Sequence, residues 1–209
     1  MVRFNSSAVR RRTVNEMEIC DSKAVSEYLN INRIVLAFLF AGLTGIAAQI
    51  RIPLPFTPVP ITGQVLFVLL AGVMIGRYGG LGQLIYVGAG AAGVPWFNNF
   101  SGGASVLGGV TGGYLIGFVV AAFLIGSAIE AYPSITGNVR ELFFLMLAGV
   151  GVIYLFGVIQ LSLVLGAGMR EAIALGAAPF IAGDILKATV ATGVAAGYGH
   201  GIRIIRGSV

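Results

Sequence analysis

The chain is poor in charged residues and in two residue types that build many functional sites. Only 10% of its 209 residues are charged, and it has one histidine and one cysteine. An average soluble domain is about 25% charged, so this composition excludes that class. The lone Cys20 excludes an internal disulfide, and no apolar stretch precedes it as a lipoprotein signal requires. We expect it to be an inert thiol.

Apolar residues are what the chain has in excess. They make up 57% of it, and the mean hydropathy is +0.93. These values indicate an integral membrane protein. The 32 glycines suit close packing of helices in lipid and argue against a β-barrel, whose strands would alternate apolar and polar residues. We therefore predict an all-α membrane protein.

Six apolar segments predict a six-helix transmembrane bundle. The second, third and fourth are shorter than the roughly 20 residues that span a hydrocarbon core. Such segments can be tilted, extended by their flanks or packed inside the bundle. We predict a polar N-terminal extension over residues 1–33 and a transmembrane domain over residues 34–209. The six segments are residues 34–50, 61–75, 81–94, 114–129, 142–165 and 177–198.

Lysine and arginine are distributed unequally between the two ends of these segments. With six spans, both termini lie on one side, and only Arg51 and Arg170 fall on the other. Because cytoplasmic loops carry the excess of positive charge, we predict that both termini are cytoplasmic and that residues 51–60 and 95–113 face outward. The net charge of +5 thus reports topology, and we expect no nucleic-acid partner. The basic residues on the cytoplasmic side are Arg3, Arg10, Arg11, Arg12, Lys23, Arg33, Arg77, Arg140, Arg203 and Arg206.

Asp184 and Lys187 lie inside the last apolar segment. Ionisable residues at membrane depth are costly and usually functional. A spacing of three puts both side chains on one face of a helix, where they can compensate each other or jointly hold a polar group. One interpretation is a structural ion pair that fixes the last helix. We favour a binding role, because an apolar pair would serve packing better.

The longest irregular connection offers complementary chemistry. Trp96 and Phe97 supply flat apolar surfaces, and Asn98 and Asn99 supply two amides. An amide suits a ureido or amide group of a ligand, and Lys187 can neutralise a carboxylate. The pattern predicts a site for an organic solute. Alternatively, the two aromatic residues anchor the protein at the membrane interface.

Enzymatic interpretations find little support, and we predict neither a catalytic residue nor a metal site. Ser105 and His200 are predicted at opposite ends of the bundle, roughly 30 Å apart, and so cannot form a catalytic dyad. Asp184 lacks the acidic companion that an aspartyl protease requires. The glycines at 88, 90 and 93 match a dinucleotide motif but lie in an apolar segment without its acidic residue.

Small residues recur every fourth position in several segments. Such faces let helix backbones approach closely. Internal packing is the simplest interpretation, and the face of the first segment could instead receive a helix of a partner. The three sets are Ala37, Ala41 and Gly45; Gly72 and Gly76; and Gly193, Gly197 and Gly201.

Four motifs together resemble one family. They are residues 58–64 (PVPITGQ), 93–97 (GVPWF), 110–118 (VTGGYLIGF) and 179–187 (PFIAGDILK). In this order they resemble the BioY family, the biotin-binding S components of energy-coupling factor (ECF) transporters. The resemblance runs from about residue 34 to the C-terminus. Val110 stands where the family usually has proline.

The resemblance implies a six-helix S-component fold that binds biotin near the outer face, beneath the first and third connecting loops. Asp184 and Lys187 match family residues that contact the ligand. The small-residue face at Ala37 and Ala41 matches the surface that docks a transmembrane coupling subunit. Further positions expected to line or cover the pocket are Gln64, Trp96, Asn98, Asn99, Thr111 and Tyr114.

The resemblance also implies a transporter subunit rather than an enzyme, located in the plasma membrane of a prokaryote as a multi-pass protein. The chain has no phosphate-binding motif for ATP, so two separate ATPase subunits would supply the energy. We expect biotin as ligand and no cofactor. The alternatives are an S component for a different vitamin, a facilitator that acts alone, and a structural membrane subunit without ligand.

Overall fold

The computed structural model describes residues 31–207, with side chains up to residue 197. The chain divides into two units, Met1–Val35 and Leu36–Val209, and the architecture below is that of the second. The predicted polar extension, apart from its last three residues, lies outside the described residues together with Cys20 and the side chain of His200. The extension therefore stays a prediction.

The described chain is mostly helical, as its composition predicts. Two short antiparallel strands, in which Arg51 pairs with Thr62, close the connection between the first two helices. The elements are α1 (Ile31–Gln49), β1 (Arg51–Ile52), β2 (Ile61–Thr62), α2 (Gln64–Ile75), α3 (Tyr78–Ala91), α4 (Gly112–Ala131), α5 (Val139–Leu165), α6 (Met169–Gly176) and α7 (Ile181–Gly207). Short 3-10 turns at Asn98–Phe100, Ala104–Val106, Pro133–Gly137 and Ala178–Phe180 lie between them.

Within the described residues, four helical stretches are long and apolar enough to cross a membrane. They are Ile31–Gln49, Gly112–Ala131, Val139–Leu165 and Met169–Gly197. Helices α2 and α3 coincide with the second and third predicted segments but have only 12 and 14 residues. They are therefore too short by length to span a hydrocarbon core without tilt or support from their flanks.

The amphipathic helix α6 was not predicted from the sequence. Its eight residues expose Arg170 and Glu171 and bury Ala172. This mixture of charged and apolar residues interrupts the hydropathy signal, so that the last segment was predicted to begin only after it. A short turn at Ala178–Phe180 then leads into α7, where the helix starts four residues later than predicted.

Helix α4 packs against α2, α3 and α5, and glycines allow the close approach. A Cβ added at Gly117 would lie 2.9 Å from the Cα of Ile153 on α5, and one at Gly72 would lie 2.9 Å from the carbonyl oxygen of Ala122. Real Cβ atoms do not approach other atoms this closely. Gly72 therefore has the internal packing role that its spacing predicts.

The small-residue faces of α1 and α7 differ from this pattern. Ala37 and Ala41 are 0% and 1% exposed, and a Cβ at Gly82 of α3 would lie 2.9 Å from the Ala37 carbonyl oxygen. The α1 face is thus buried in this structure, with Ala37 against α3, and docking of a partner there stays a prediction. A Cβ added at Gly193 or Gly197 would meet no atom of the described residues within 4 Å, so these residues give internal packing no support there. Gly201 lies beyond the residues whose side chains are described.

Candidate ligand-binding cavity

A cavity of about 250 Å³ lies where the loops at one end of the helices meet α4, α5 and α7. Small-molecule sites usually measure roughly 300 to 1,000 Å³ and combine apolar walls with few polar groups. This cavity is slightly smaller than the lower limit of that range and has the same mixed character. It is lined by Pro58, Val59, Pro60, Ile61, Thr62, Gln64, Val65, Phe97, Asn98, Ser101, Val106, Val110, Thr111, Tyr114, Leu115, Phe118, Ile153, Tyr154, Phe180, Asp184 and Lys187.

The charged group in the cavity is the predicted pair on α7. Asp184 is 3% exposed, and the Lys187 ammonium donates a 2.6 Å hydrogen bond to its Oδ1. The Tyr154 hydroxyl on α5 donates a second, also of 2.6 Å, to Oδ2. A buried carboxylate needs such donors to offset its desolvation. Since an ammonium has three N–H donors, Lys187 retains donors for a ligand acceptor.

Asn98 contributes an acceptor without a partner. Its Oδ1 is buried and, within the part of the chain that the structure describes, receives no hydrogen bond. Its backbone is fixed by the Ser101 hydroxyl, which donates to the Asn98 carbonyl oxygen at 2.8 Å. A buried polar atom left unpaired is costly, and native structures contain few of them. Because Asn98 is a residue of the cavity wall, this acceptor is a candidate partner for an N–H donor of a ligand.

Gln64, Thr111 and Tyr114 also line the cavity. Gln64 accepts from the Thr62 hydroxyl at 3.0 Å and donates to the Tyr86 hydroxyl at 2.8 Å. The Tyr114 hydroxyl donates to the Gly176 carbonyl oxygen at 2.8 Å. Both side chains therefore connect the cavity wall to neighbouring elements. Their contact with a ligand stays a prediction.

Trp96 and Asn99 are not among the cavity-lining residues. The Trp96 indole donates to the Tyr86 carbonyl oxygen at 2.9 Å, and a Cβ added at Gly45 of α1 would lie 3.2 Å from Trp96. Trp96 thus supports the loop from behind the cavity. The alternative of an interfacial anchor is wrong for Phe97, which is 1% exposed and lines the cavity. A ligand role for Trp96 and Asn99 stays a prediction.

Three polar side chains that the sequence analysis missed hold the two connections around the cavity, between α1 and α2 and between α3 and α4. Gln49, at the end of α1, contacts the backbone of residues 96–100. The Gln160 amide on α5 donates to the carbonyl oxygens of Leu107 and Gly109 at 2.6 and 2.9 Å. The Thr57 hydroxyl donates to the Leu175 carbonyl oxygen at 2.7 Å.

A signal for two of these residues was present in the sequence. Gln49 and Gln160 are amides within apolar segments, where a polar side chain requires a hydrogen-bond partner. Tyr154 gave no such signal, since a tyrosine in an apolar run is common in a core. Its hydroxyl reaches Asp184 only because α5 packs beside α7 in the folded structure.

Comparison with known proteins identifies the family. The sequence profile of the BioY family matches residues 20–203. The biotin transporter BioY of Thermotoga maritima is 41% identical over 166 residues, which cover 79% of this chain and 94% of that protein. The probable biotin transporter BioY of Pyrococcus horikoshii is 42% identical over 168 residues, which cover 80% of this chain and 96% of that protein.

A solved structure agrees with these relatives. The crystal structure of the S-component for biotin from an ECF-type ABC transporter matches with a TM-score of 0.75 and 26% sequence identity. The match covers 82% of this chain and 92% of that one. The fold and the sequence thus lead to the same conclusion: the chain belongs to the BioY family.

Proposed function

We propose that this protein is the biotin-binding S component of an ECF-type transporter and mediates biotin uptake. The observation that carries the proposal is that Asn98, whose Oδ1 has no hydrogen-bond partner among the described residues, lines the same small cavity as the Asp184 and Lys187 pair. The unpaired Asn98 acceptor and the remaining N–H donors of Lys187 suit a ligand that has both N–H groups and oxygen acceptors. Biotin has both, in its ureido ring and its carboxylate.

The chemistry of the cavity assigns roles to these groups. A carboxylate has no donor, so the Asn98 Oδ1 is matched by a ureido N–H. Lys187 donates to the ureido carbonyl or to the carboxylate of the side chain, while Asp184 holds its ammonium in place. The sulfur-containing ring and the aliphatic chain pack on apolar walls that include Val110, Phe118 and Phe180. Gln64, Thr111 and Tyr114 complete the wall.

The proposal includes six membrane spans and cytoplasmic termini. Helices α2 and α3 would then cross the membrane as short or tilted spans. The positions of the basic residues support this orientation. Arg51 and Arg170 lie near the cavity, in β1 and α6, whereas Arg77 and Arg140 lie at the other end, in the α2–α3 turn and at the start of α5. Each end carries two of these arginines, and the basic residues of the two terminal segments make the second end the more basic one if the chain has six spans. That end is expected in the cytoplasm, so the cavity would open outward.

Uptake would require partner proteins. We propose a transmembrane coupling subunit and two ATPase subunits, because the sequence contains no phosphate-binding loop for ATP. In this structure Ala37 lies against Gly82 of α3, and Ala41 is buried. Docking through these residues would therefore need the contact between α1 and α3 to change. The protein would be located in a prokaryotic plasma membrane.

Binding of radiolabelled biotin to the purified protein in detergent tests the proposal. We expect saturable binding that excess unlabelled biotin displaces and that other vitamins do not. Displacement by a different vitamin would instead identify an S component for that compound. If no vitamin binds to a protein that unfolds cooperatively on heating, the structural-subunit alternative replaces the proposal.

A further inference from the structure

Gln49 forms an unusual set of hydrogen bonds with the loop that carries Asn98. Its amide nitrogen donates to the carbonyl oxygens of Trp96 at 3.3 Å and Phe97 at 3.0 Å. Its Oε1 accepts the backbone N–H of Phe100 at 3.1 Å. One side chain at the end of α1 therefore contacts the loop on both sides of Asn98.

The loop needs such support because of its backbone conformation. Asn99 and Phe100 have φ angles of 62° and 53°, a left-handed conformation that non-glycine residues rarely adopt. Such conformations persist only when surrounding contacts hold them. The Phe100 side chain is 71% exposed and provides little packing, so the hydrogen bond from its N–H to Gln49 is the principal contact holding this residue.

A second contact ties the same loop to α1. Trp96 packs against Gly45, one helical turn before Gln49, where an added Cβ would lie 3.2 Å from the Trp96 Cβ and Cε3. Gly45 and Gln49 therefore both contact residues 96–100. The loop that carries Asn98 packs against the last turn of α1.

From these contacts we infer that Gln49 is a positioning residue for ligand binding, which holds the loop so that Asn98 keeps its place in the cavity wall. This role rests on the proposed function and deepens it. Gln49 does not line the cavity and acts through Asn98. A displacement of the end of α1 would move the loop as well and would thereby change the affinity for the ligand.

A double-mutant cycle tests this role with the full-length protein and labelled biotin as the probe. We expect Gln49→Ala to weaken binding about tenfold, the effect of losing two or three hydrogen bonds at the loop. Asn98→Ala should weaken it at least as much. The double variant should bind within about twofold of Asn98→Ala alone, because coupled residues are not additive. Unchanged binding by Gln49→Ala, or fully additive losses, would overturn the inference.

Gln160→Ala is the matched control, because its amide anchors residues 107–109 and not the Asn98 loop. Its loss of affinity should add to that of Asn98→Ala. The opposite outcome is an effect of Gln160→Ala on affinity that is as non-additive with Asn98→Ala as that of Gln49→Ala. Residues 95–111 would then move as one unit, and the specific role of Gln49 would be refuted.

Fluorescence gives a readout that needs no ligand. Trp96 is the chain's only tryptophan and lies between Gln49 and Tyr86. Gln49→Ala should shift its emission to longer wavelength and increase quenching by acrylamide, whereas Gln160→Ala should not. Gln49→Glu, which keeps the acceptor for Phe100 but loses the donors, serves if the alanine variant fails to fold. An unchanged spectrum in a folded Gln49 variant would overturn the inference.

A failure of the proposed function looks different from a failure of this role. If the folded wild-type protein retains no biotin, the proposed function falls and the positioning role falls with it. If the wild type binds biotin and the Gln49 variants bind it equally well, the positioning role alone is refuted.

Discussion

Tyr154 and Asp184, 30 residues apart in sequence, are joined by a 2.6 Å hydrogen bond from the tyrosine hydroxyl to Oδ2 of the carboxylate. The other oxygen accepts from Lys187 at the same distance. Each carboxylate oxygen thus has a donor from the protein. Asp184 is therefore best suited to hold Lys187 and α5 in place, while Lys187 offers its remaining N–H groups to the cavity.

Tyr154→Phe should destabilise the protein and weaken biotin binding several-fold. It removes one donor from a buried carboxylate, and a buried polar group that loses its partner costs about 1 to 3 kcal/mol. Thermal unfolding in detergent and equilibrium biotin binding measure the two effects. Tyr132→Phe is the control, because Tyr132 is 66% exposed in the α4–α5 connection. Equal stability of both variants would show that the Tyr154 hydrogen bond contributes little.

The charge pair can be separated into its structural and functional parts. Lys187→Met should lower the unfolding free energy by about 3 to 5 kcal/mol, since it leaves Asp184 charged, buried and without its counter-ion. Adding Asp184→Asn removes that charge and should restore much of the stability. Neither variant should bind biotin in a binding assay. Biotin binding by the stable double variant would show that the pair serves folding alone.

Asn98→Ala should lose affinity without losing stability. Its Oδ1 has no hydrogen-bond partner among the described residues, so deleting it removes none of their hydrogen bonds and relieves the cost of an unpaired acceptor. We expect an unfolding temperature equal to or above that of the wild type and about tenfold weaker biotin binding. A large drop in the unfolding temperature would mean that the amide is a structural element of the loop.

Thr57→Val should accelerate release of biotin. The substitution keeps the shape of the side chain but removes the hydrogen bond to Leu175 that holds the loop of residues 51–62 over the cavity, and also the acceptor for the Val59 backbone N–H. Dissociation rates of labelled biotin measure the effect, which we expect to be at least about fivefold because two hydrogen bonds are lost. Thr136→Val is the control, since its hydroxyl bonds to Pro133 in the connection after α4. The same rate change in both variants would refute the explanation.

Two glycines with opposite surroundings test the packing of α4 on α5. Gly117→Ala introduces a Cβ that would lie 2.9 Å from the Cα of Ile153, and overpacking of this kind costs about 1 to 3 kcal/mol. Gly151→Ala on α5 meets no atom within 4 Å and should be neutral or stabilising, because alanine favours helix by up to about 1 kcal/mol. Unfolding temperatures of the two variants should move apart. A stable Gly117→Ala variant would contradict the close approach.

The sequence predicted what depends on local periodicity. Asp184 and Lys187 could be paired in advance because a helix brings residues three apart onto one face. Hydropathy located α2 to α5 and α7 for the same reason. The amphipathic α6 was missed because its Arg170 and Glu171 interrupt the apolar run. Helix boundaries that depend on capping and on loop contacts differed by several residues.

What the sequence could not predict depends on contacts between distant elements. Gln49 and Gln160 could be noticed as amides in apolar segments, but their partners lie about fifty positions away and could not be named. Trp96 was expected at the ligand, whereas its indole bonds to the Tyr86 carbonyl oxygen and leaves Phe97 at the cavity wall. The backbone conformation of the loop decides which of two neighbouring aromatic residues faces the cavity. Hydrophobic periodicity gives no information about that conformation.

The anchoring of the loops by a few single polar side chains has an energetic consequence for access to the cavity. A hydrogen bond contributes a net amount of about 1 kcal/mol, which corresponds to roughly a fivefold change in an equilibrium. Releasing Thr57 from Leu175, or Gln160 from its two carbonyl oxygens, therefore requires far less energy than separating α4 from α5. The entrance can open one loop at a time by thermal motion, while the helices that carry Asp184 and Lys187 keep their positions.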